Sequence, residues 1–381
     1  MKEPKIRFKG FSGEWKECTL SNIITVNSGK DYKHLEKGTI PVYGTGGYML
    51  SVNTSLSEHD AIGIGRKGTI DKPQYLKAPF WTVDTLFFLT TNNGDNLDFL
   101  FNLSQNIRWQ KYDESTGVPS LSKNNIDKIK TCIPNKFEQQ SVASFFTSLD
   151  AQISASTSRL ASLKQMKAAS LQAMFPQEGE TIPKVRFKGF EGEWKTRSLN
   201  NYAKKRTEKN VNRIYNVTLT NSAEFGIIDQ RHFFDHDISN SENIDGYFVV
   251  RNKDFVYNPR ISASAPVGPI NQNKLGYPGV MSPLYLVFEV KGINHDFLEI
   301  YFHTALWHKY MFDNGNSGAR FDRLTISDDD FMRMPIPDIS LAEQQSIASF
   351  FTSLDRQIAL HTQRLEKLKQ IKAACLDKMF V

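Results

Sequence analysis

The side chains that could bind a ligand in this 381-residue sequence are mainly basic, aromatic and amide residues. They lie in two segments of turn-rich sequence. Arginine, lysine, asparagine and serine contact nucleic-acid phosphates and base edges, with arginine favouring guanine and asparagine favouring adenine. Any single one could equally be an ordinary solvated loop residue, so the prediction of DNA binding depends on the collection. The candidates in the first segment are Lys30, Tyr32, Lys33, Tyr43, Tyr48, Arg66, Lys67, Ser120 and Lys123. The candidates in the second segment are Arg206, Lys209, Arg213, Asn258, Arg260, Ser262, Asn271, Asn273, Lys274, Arg320 and Arg323.

Sequence motifs for catalysis are weak by comparison. The glycine-rich runs at 44–48 (GTGGY) and 63–69 (GIGRKGT) fit neither the phosphate-binding loop nor the dinucleotide fingerprint, so we interpret them as turns. The run from Asn258 to Arg260 matches only the first half of the Asn-Pro-Pro-aromatic motif of adenine methyltransferases. His232 and His236 have no third cluster of metal ligands to support them. We therefore expect a non-enzymatic chain with no catalytic residue, cofactor or metal.

Composition is that of a globular protein, with 40% hydrophobic and 23% charged residues. The 47 basic and 41 acidic residues give a formal charge of +6, which permits a polyanionic partner without proving one. Three cysteines without zinc-ligand spacing favour a reducing compartment. The sequence contains no long apolar run and no apolar signal core, so we expect a cytoplasmic protein that does not enter a membrane.

A repeated segment provides the framework for the candidate residues. Residues 138–175 and 343–380 are identical at 26 of 38 positions, and both place apolar residues at alternating spacings of three and four. This periodicity predicts two long helices, capped by Asn135 and by Ser340 in capping-box spacing with Glu138 and Glu343. Two matching apolar seams predict a coiled coil, although each helix could instead lie on its own domain. The short linker at 176–182 favours antiparallel pairing and a pseudo-twofold arrangement.

A second repeat, at 4–20 and 183–199, is identical at 12 of 17 positions, so the repeating unit is about half the chain. The bodies between the repeats show almost no similarity in sequence. Both mix short strand patterns, such as 61–65 and 281–290, with one helix pattern each, at 95–112 and 294–312. We predict an α/β (α+β) fold with domains at 1–137 and 183–342, helices at 138–175 and 343–381, and a linker at 176–182.

This architecture resembles the DNA specificity subunit of type I restriction-modification systems over the whole length. The segments that carry the resemblance are the two helices, the opening motifs RFKGFSGEW (7–15) and RFKGFEGEW (186–194), and the body endings at 117–134 and 318–337. The resemblance implies two target-recognition domains, each reading half of a split asymmetric site in double-stranded DNA. It also implies that the helices dock two methyltransferase subunits and that nuclease-translocase subunits join them. Two alternatives are a coiled-coil scaffold that does not bind nucleic acid and a self-contained restriction-methylation enzyme.

Overall fold

The computed structural model describes residues 2–232, 241–316 and 322–381 of a chain that divides into two compact units. The first unit comprises Met1–Arg159 and His361–Val381, and the second comprises Leu160–Leu360. Both units combine β-sheets with helices, which confirms the predicted mixed α and β class.

The first unit is built on an antiparallel four-stranded sheet in the order β2-β8-β5-β6, beside a three-stranded sheet β4-β3-β7 and a β1-β9 pair. Its strands are β1 (Lys16–Thr19), β2 (Ile24–Ser28), β3 (Lys37–Gly44), β4 (Gly47–Val52), β5 (Ala61–Gly65), β6 (Gln74–Leu76), β7 (Trp81–Thr82), β8 (Leu86–Thr91) and β9 (Lys130–Ile133). Its helices are α1 (Leu20–Ile23), α2 (Leu97–Asn106), α3 (Lys123–Asp127) and the beginning of α4 (Lys136–Ala173), with a 3₁₀ turn at Trp109–Tyr112.

The second unit is built on an antiparallel four-stranded sheet in the order β11-β18-β15-β16, with the pairs β10-β19, β12-β13 and β14-β17. Its strands are β10 (Lys195–Ser198), β11 (Ala203–Lys205), β12 (Leu219–Ser222), β13 (Gly226–Asp229), β14 (Phe248–Val250), β15 (Phe255–Tyr257), β16 (Ile270–Gln272), β17 (Gly279–Met281), β18 (Leu286–Val290) and β19 (Pro335–Asp338). Its helices are α5 (His295–Phe302), α6 (His308–Asn314), α7 (Asp328–Met332) and the beginning of α8 (Leu341–Met379), with 3₁₀ turns at Leu199–Asn201, Gln230–His232 and Ser241–Gly246.

The two four-stranded sheets share one topology although the sequences of the two bodies are dissimilar. In both units the first strand of the sheet in chain order pairs with the last, the last pairs with the second, and the second pairs with the third. The loop between β5 and β6 in the first unit thus corresponds to the loop between β15 and β16 in the second. This equivalence aligns two loops that contain predicted DNA-binding residues.

The predicted body helices both break near their middle. The pattern at 95–112 becomes α2 and the 3₁₀ turn, and the pattern at 294–312 becomes α5 and α6. After each break a buried tryptophan donates a hydrogen bond from its ring nitrogen to a carbonyl five residues earlier, from Trp109 to Ser104 (2.8 Å) and from Trp307 to Phe302 (3.0 Å). These bonds use carbonyls in the last turn of each helix, where the regular amide partner four residues later is missing, and Ser104 accepts in addition from the cap amide of Ile107 (3.3 Å). The strand predicted at 281–290 is too long, because a turn separates β17, which ends at Met281, from β18, which begins at Leu286.

The long helices α4 and α8 confirm the helix prediction to within two residues at each end. The predicted apolar seams are buried or half-buried at all fourteen positions, which are 142, 146, 149, 153, 160, 163 and 174 in and directly after α4 and 347, 351, 354, 358, 365, 368 and 379 in α8. In the first unit the ring centroid of Phe380 lies 5.9 Å from that of Phe146, and in the second Phe175 stacks on Phe297 at the same distance. The last aromatic residue of each repeat therefore belongs to the core of a unit.

Each helix start is capped as predicted, but the glutamates of the proposed capping boxes bind other partners. The amide nitrogen of Glu138 donates to Asn135 Oδ1 (3.0 Å), and that of Glu343 donates to Ser340 Oγ (3.2 Å). The buried carboxylate of Glu138 accepts two hydrogen bonds from Arg7, at 2.7 and 2.8 Å. Arg186 and Glu343 repeat the same distances in the second unit. A cation from the opening motif competes successfully for the carboxylate because the guanidinium supplies two hydrogen bonds and an opposite charge, whereas a backbone amide supplies one hydrogen bond.

Candidate nucleic-acid interface

The first unit presents exposed cations on adjoining loops. Lys30, Lys33, Arg66, Lys67 and Lys123 are all exposed, and among residues 2–159 and 361–381 none of the five forms an ion pair with a carboxylate. Their positive charge is therefore not neutralised within the described part of this unit. Such charges are available to phosphate groups.

The loop that contains Lys30, Tyr32 and Lys33 is attached to the end of β7. The Lys30 amide donates to the Thr82 carbonyl (2.9 Å), and the Trp81 ring nitrogen donates to the Lys30 carbonyl (2.9 Å). Tyr32 is half-buried and packs against the apolar cluster beneath the loop. This attachment fixes the position of the two lysines relative to the β3-β4 hairpin.

The β3-β4 hairpin carries the two predicted tyrosines. Tyr43 and Tyr48 face each other across the strands with ring centroids 6.5 Å apart, and Tyr48 is 63% exposed. The amide of Gln74, on β6, donates to the carbonyls of Gly44 (3.0 Å) and Thr45 (3.1 Å) and so holds the hairpin tip. The tip consequently lies beside the β5-β6 loop.

A backbone bridge joins the β5-β6 loop to the loop before α3. The Leu121 amide donates to the Arg66 carbonyl (2.9 Å), the Gly68 amide donates to the Pro119 carbonyl (2.8 Å), and Lys67 pairs with Ser120. The guanidinium carbon of Arg66 lies 5.7 Å from the centroid of the Phe87 ring, a cation–π contact. The bridge therefore brings Arg66, Lys67 and Ser120 together, although Ser120 is more than fifty residues away in sequence. We name this contact the first loop bridge.

The second unit contains the equivalent contact, which we name the second loop bridge. The Leu324 amide donates to the Pro259 carbonyl (2.9 Å), the Ile261 amide donates to the Asp322 carbonyl (3.0 Å), and Arg260 pairs with Arg323. As in the first unit, it joins the loop after the second strand of the four-stranded sheet, here β15, to the loop that precedes a serine-capped helix. Ser262 begins the tight turn that follows, with its amide donating to Ala265.

A polar pocket of about 200 Å³ lies beside the second loop bridge. Arg260 and Arg323 both line it, and the Nε atom of each arginine lies 3.9 Å from Oδ2 of the Asp322 carboxylate. Asn258 also lines the pocket, with its amide donating to the Asn221 carbonyl (2.9 Å). The pocket thus combines two loosely paired cations with fixed hydrogen-bonding groups.

Three predicted cations of the second unit are neutralised by carboxylates instead. Arg206 forms a bidentate pair with buried Asp254, at 2.6 and 2.9 Å. Burial raises the pKa of the Asp254 carboxyl, which this arginine opposes. Arg213 pairs with Asp245 (3.1 Å from the terminal nitrogen), and Lys274 pairs with Asp296 (3.1 Å) and with Glu299. These interactions hold the second unit together and leave less charge for a ligand.

Two predicted asparagines are buried and serve the fold. The Asn273 amide donates to the carbonyls of Arg251 (3.1 Å) and Tyr277 (3.0 Å), which shapes a turn. The Asn271 amide donates to Asn221 Oδ1 (2.7 Å) between two strands. Because both side chains are buried as well as hydrogen-bonded within the fold, unlike half-buried Asn258, we omit both from the proposed interface. Lys209 is exposed with its backbone paired to Phe248, and Arg320 lies outside the described residues.

Sequence reasoning missed the pocket residues that come from other strands. Thr220, Gln230, Ser282 and Tyr285 line the pocket from three separate parts of the chain, and Thr220 Oγ1 lies 3.2 Å from the Tyr285 hydroxyl. No local pattern marks them, because only the strand pairing brings them together. The described residues contain no group of three or more potential metal ligands. Nor does any helix in the described ranges have the length and apolar character to cross a bilayer.

Comparison with known proteins gives one family and several similar structures. The family model described as the type I restriction modification DNA specificity domain matches residues 12–165 and 191–370. The crystal structure of a type I restriction-modification S subunit from M. genitalium is 12% identical, with a TM-score of 0.65 over 100% of this chain and 99% of that one. An HsdS subunit from Thermoanaerobacter tengcongensis is 15% identical, with a TM-score of 0.47 over 100% and 99%. The comparison with curated protein sequences gave no match. The family match confirms the resemblance predicted from the sequence.

Proposed function

We propose, because this chain belongs to the type I restriction-modification DNA specificity family, that each of its two units reads one half of a bipartite asymmetric DNA target. The observation that carries this proposal is the loop bridge, which recurs in both units on one topology although the two bodies differ in sequence. A shared framework with different side chains at equivalent loops is what two readers of different half-sites require. The chain itself is then a non-catalytic reader.

The interface that we propose in the first unit consists of its exposed loop residues. Arg66 and Lys67 lie on the bridge, and Ser120 supplies a hydroxyl beside them. Arginine can bind the guanine edge with two hydrogen bonds, whereas a lysine is suited to phosphates as a point charge. Further members of the proposed interface are Lys30, Tyr32, Lys33, Tyr43, Tyr48 and Lys123.

The interface that we propose in the second unit surrounds the polar pocket. Arg260 and Arg323 are only loosely paired with Asp322, at 3.9 Å, so a phosphate or a base edge can replace that contact. Asn258, Ser262 and Lys209 complete the described set. Arg320 stays a prediction, since it lies outside the described residues.

The finer architecture is also part of the proposal. We infer domains at 1–137 and 183–342, a linker at 176–182, and helices at 138–175 and 343–381 that form an antiparallel coiled coil with pseudo-twofold symmetry. Within the first unit, Asp150 of α4 pairs with Lys372 of α8 (2.6 Å), while Phe146 contacts Phe380. From the Phe146 contact to the Asp150 pair, the residue number rises from 146 to 150 in α4 and falls from 380 to 372 at the end of α8, which supports antiparallel pairing.

Catalysis is proposed to belong to partner subunits, namely two methyltransferase subunits and nuclease-translocase subunits. The family resemblance supports this assignment. Matching exposed apolar positions on the two helices support docking there, since Met166 in the second unit and Ile371 in the first occupy the same position of the repeat and are 47% and 39% exposed. We propose a cytoplasmic complex.

The experiment that tests the function is methylation mapping with the first body exchanged. Cells carrying this chain and its methyltransferase define the methylated motif, and residues 21–137 are then replaced with the body of another family member. We expect one half of the motif to change and the other to persist. A change in both halves, or in neither, would contradict independent reading.

Point variants on the two bridges sharpen this test. Arg66→Ala should weaken binding through one half-site and Arg260→Ala through the other, each by about 1 to 3 kcal/mol if the arginine contacts a base. Binding to single-base variants of the duplex separates a base contact, which relaxes one position, from a phosphate contact, which weakens all duplexes alike. Arg206→Ala is the matched control, because it should destabilise the second unit without changing base preference.

A further inference from the structure

The first loop bridge also presents an exposed apolar side chain. Val118 is 61% exposed at the tip of the loop before α3, between Gly117 and Pro119. Exposed Tyr48 belongs to the adjoining hairpin, and Arg66 and Lys67 lie on the other strand of the bridge. Because this branched apolar side chain is exposed at the end of a cationic loop, burial in the core of the unit does not account for it.

The loop holds Val118 in a defined position. The Pro119 carbonyl accepts from Gly68 (2.8 Å), the Ser120 amide donates to Asp113 Oδ1 (2.9 Å), and the Glu114 amide donates to the Ser120 carbonyl (3.1 Å). Hydrogen bonds from Ser120 and Ser115 lower the pKa of the Asp113 carboxyl, so it remains an acceptor at neutral pH. The backbone that directly follows the valine is therefore held by hydrogen bonds before any ligand binds.

We propose that Val118 reads the 5-methyl group of a thymine in the half-site bound by the first unit, an inference that rests on the proposed function. The valine side chain cannot form hydrogen bonds, and the thymine methyl is the apolar group among the base edges of the major groove. The charge around it favours DNA over a protein surface, because the neighbouring Arg66 and Lys67 have no carboxylate partner in the described residues. The first half-site therefore contains at least one thymine whose methyl group contributes to recognition.

The test replaces thymines of the mapped first half-site with deoxyuridine, one at a time, in duplexes bound by the full chain with its methyltransferase. Deoxyuridine removes the methyl and keeps every hydrogen-bonding group of the base. Burial of one methyl group corresponds to about a fourfold change in Kd. We expect one substitution to weaken wild-type binding by about fourfold and to have little effect on Val118→Ala.

Two controls keep the outcome readable. Val118→Ala shortens a side chain of a residue that is 61% exposed and belongs to no apolar core cluster, so its fold and its affinity for the second half-site should be unchanged. Ile6→Ala removes another exposed apolar side chain of the first unit, outside the loops, and should keep the full deoxyuridine penalty. The comparison of the two variants therefore isolates the contact between valine and methyl.

The proposal is wrong if no deoxyuridine weakens binding, or if the penalty is the same in Val118→Ala as in wild type. It is also wrong if Val118→Ala weakens assembly with the methyltransferase and leaves the penalty unchanged, since the valine would then serve a protein interface. In all these cases sequence-selective DNA binding persists, so the proposed function survives. Absence of selective DNA binding by the wild-type complex would overturn both.

Discussion

The two arginine–glutamate pairs at the helix starts make a quantitative comparison possible within one chain. Glu138 and Glu343 have side chains 1% and 3% exposed, and Arg7 and Arg186 are both 15% exposed. Each arginine also donates to a glycine carbonyl of its own opening motif, Gly13 or Gly192, at 2.6 Å. Removing the cation leaves a buried, uncompensated carboxylate, which costs about 3 to 5 kcal/mol. We predict such a loss for Arg7→Met in the first unit and for Arg186→Met in the second.

The two losses should differ, because the two sites are not identical. The Trp15 ring nitrogen donates to Glu138 Oε1 (3.3 Å), whereas the corresponding nitrogen of Trp194 is buried and has no hydrogen-bond partner among the described residues. Glu138 therefore keeps one donor when its arginine is removed, and a hydrogen bond to a charged group contributes about 1.5 to 3 kcal/mol. We expect Arg186→Met to be the more destabilising change, by about 1 kcal/mol or more.

Native-state hydrogen exchange of the full chain measures this without assuming a single unfolding transition. The free energy of opening is read separately from peptides at the start of α4 and at the start of α8. Each variant should lower it in its own unit, and Arg7→Met/Glu138→Met should recover much of the loss because neither charge remains buried. Losses below 1 kcal/mol in both units, or equal losses in the two, would refute the reasoning.

Three further predictions concern the helices. Asn96→Ala and Asn294→Ala each remove an N-cap whose side chain also donates to a glutamine near the start of a long helix, Gln140 or Gln345. Each should cost about 0.5 to 2 kcal/mol in thermal unfolding, and an unchanged Tm would contradict this. The half-exposed pair of Lys372 and Asp150 should contribute at most about 1 kcal/mol, and a double-mutant cycle at low and high salt should show it weakening with salt; a larger, salt-independent coupling would disagree. Inserting one matched heptad into both α4 and α8 lengthens each helix by ~10 Å. Selection of bound duplexes from a library of spacer lengths should then recover the same half-sites, with a spacer longer by about three base pairs and with weaker binding. An unchanged optimum spacer would contradict the idea that helix length sets the distance between the half-sites.

The sequence alone was sufficient for the features that depend on local pattern. Helices α4 and α8 follow from the apolar spacing and the caps at Asn135 and Ser340, because a helix is specified by residues three and four positions apart. The repeats were also the basis of the predicted family resemblance, which the match to the family model confirmed. The short strand at 61–65 was found for the same reason, since its apolar run is bounded by turn residues.

The tertiary structure decided which of the predicted site residues are available. Arg66 and Arg206 are the same residue type in loop-like sequence, but Arg206 is held by Asp254, a partner 48 residues away, and Arg66 is not paired with a carboxylate in the described residues. The buried position of Asn271 and the second loop bridge of Arg260 likewise depend on strands distant in sequence. Residue type determines what a side chain can bind. The partners that compete for that side chain are determined by pairing between distant segments, which local patterns in a single sequence do not reveal.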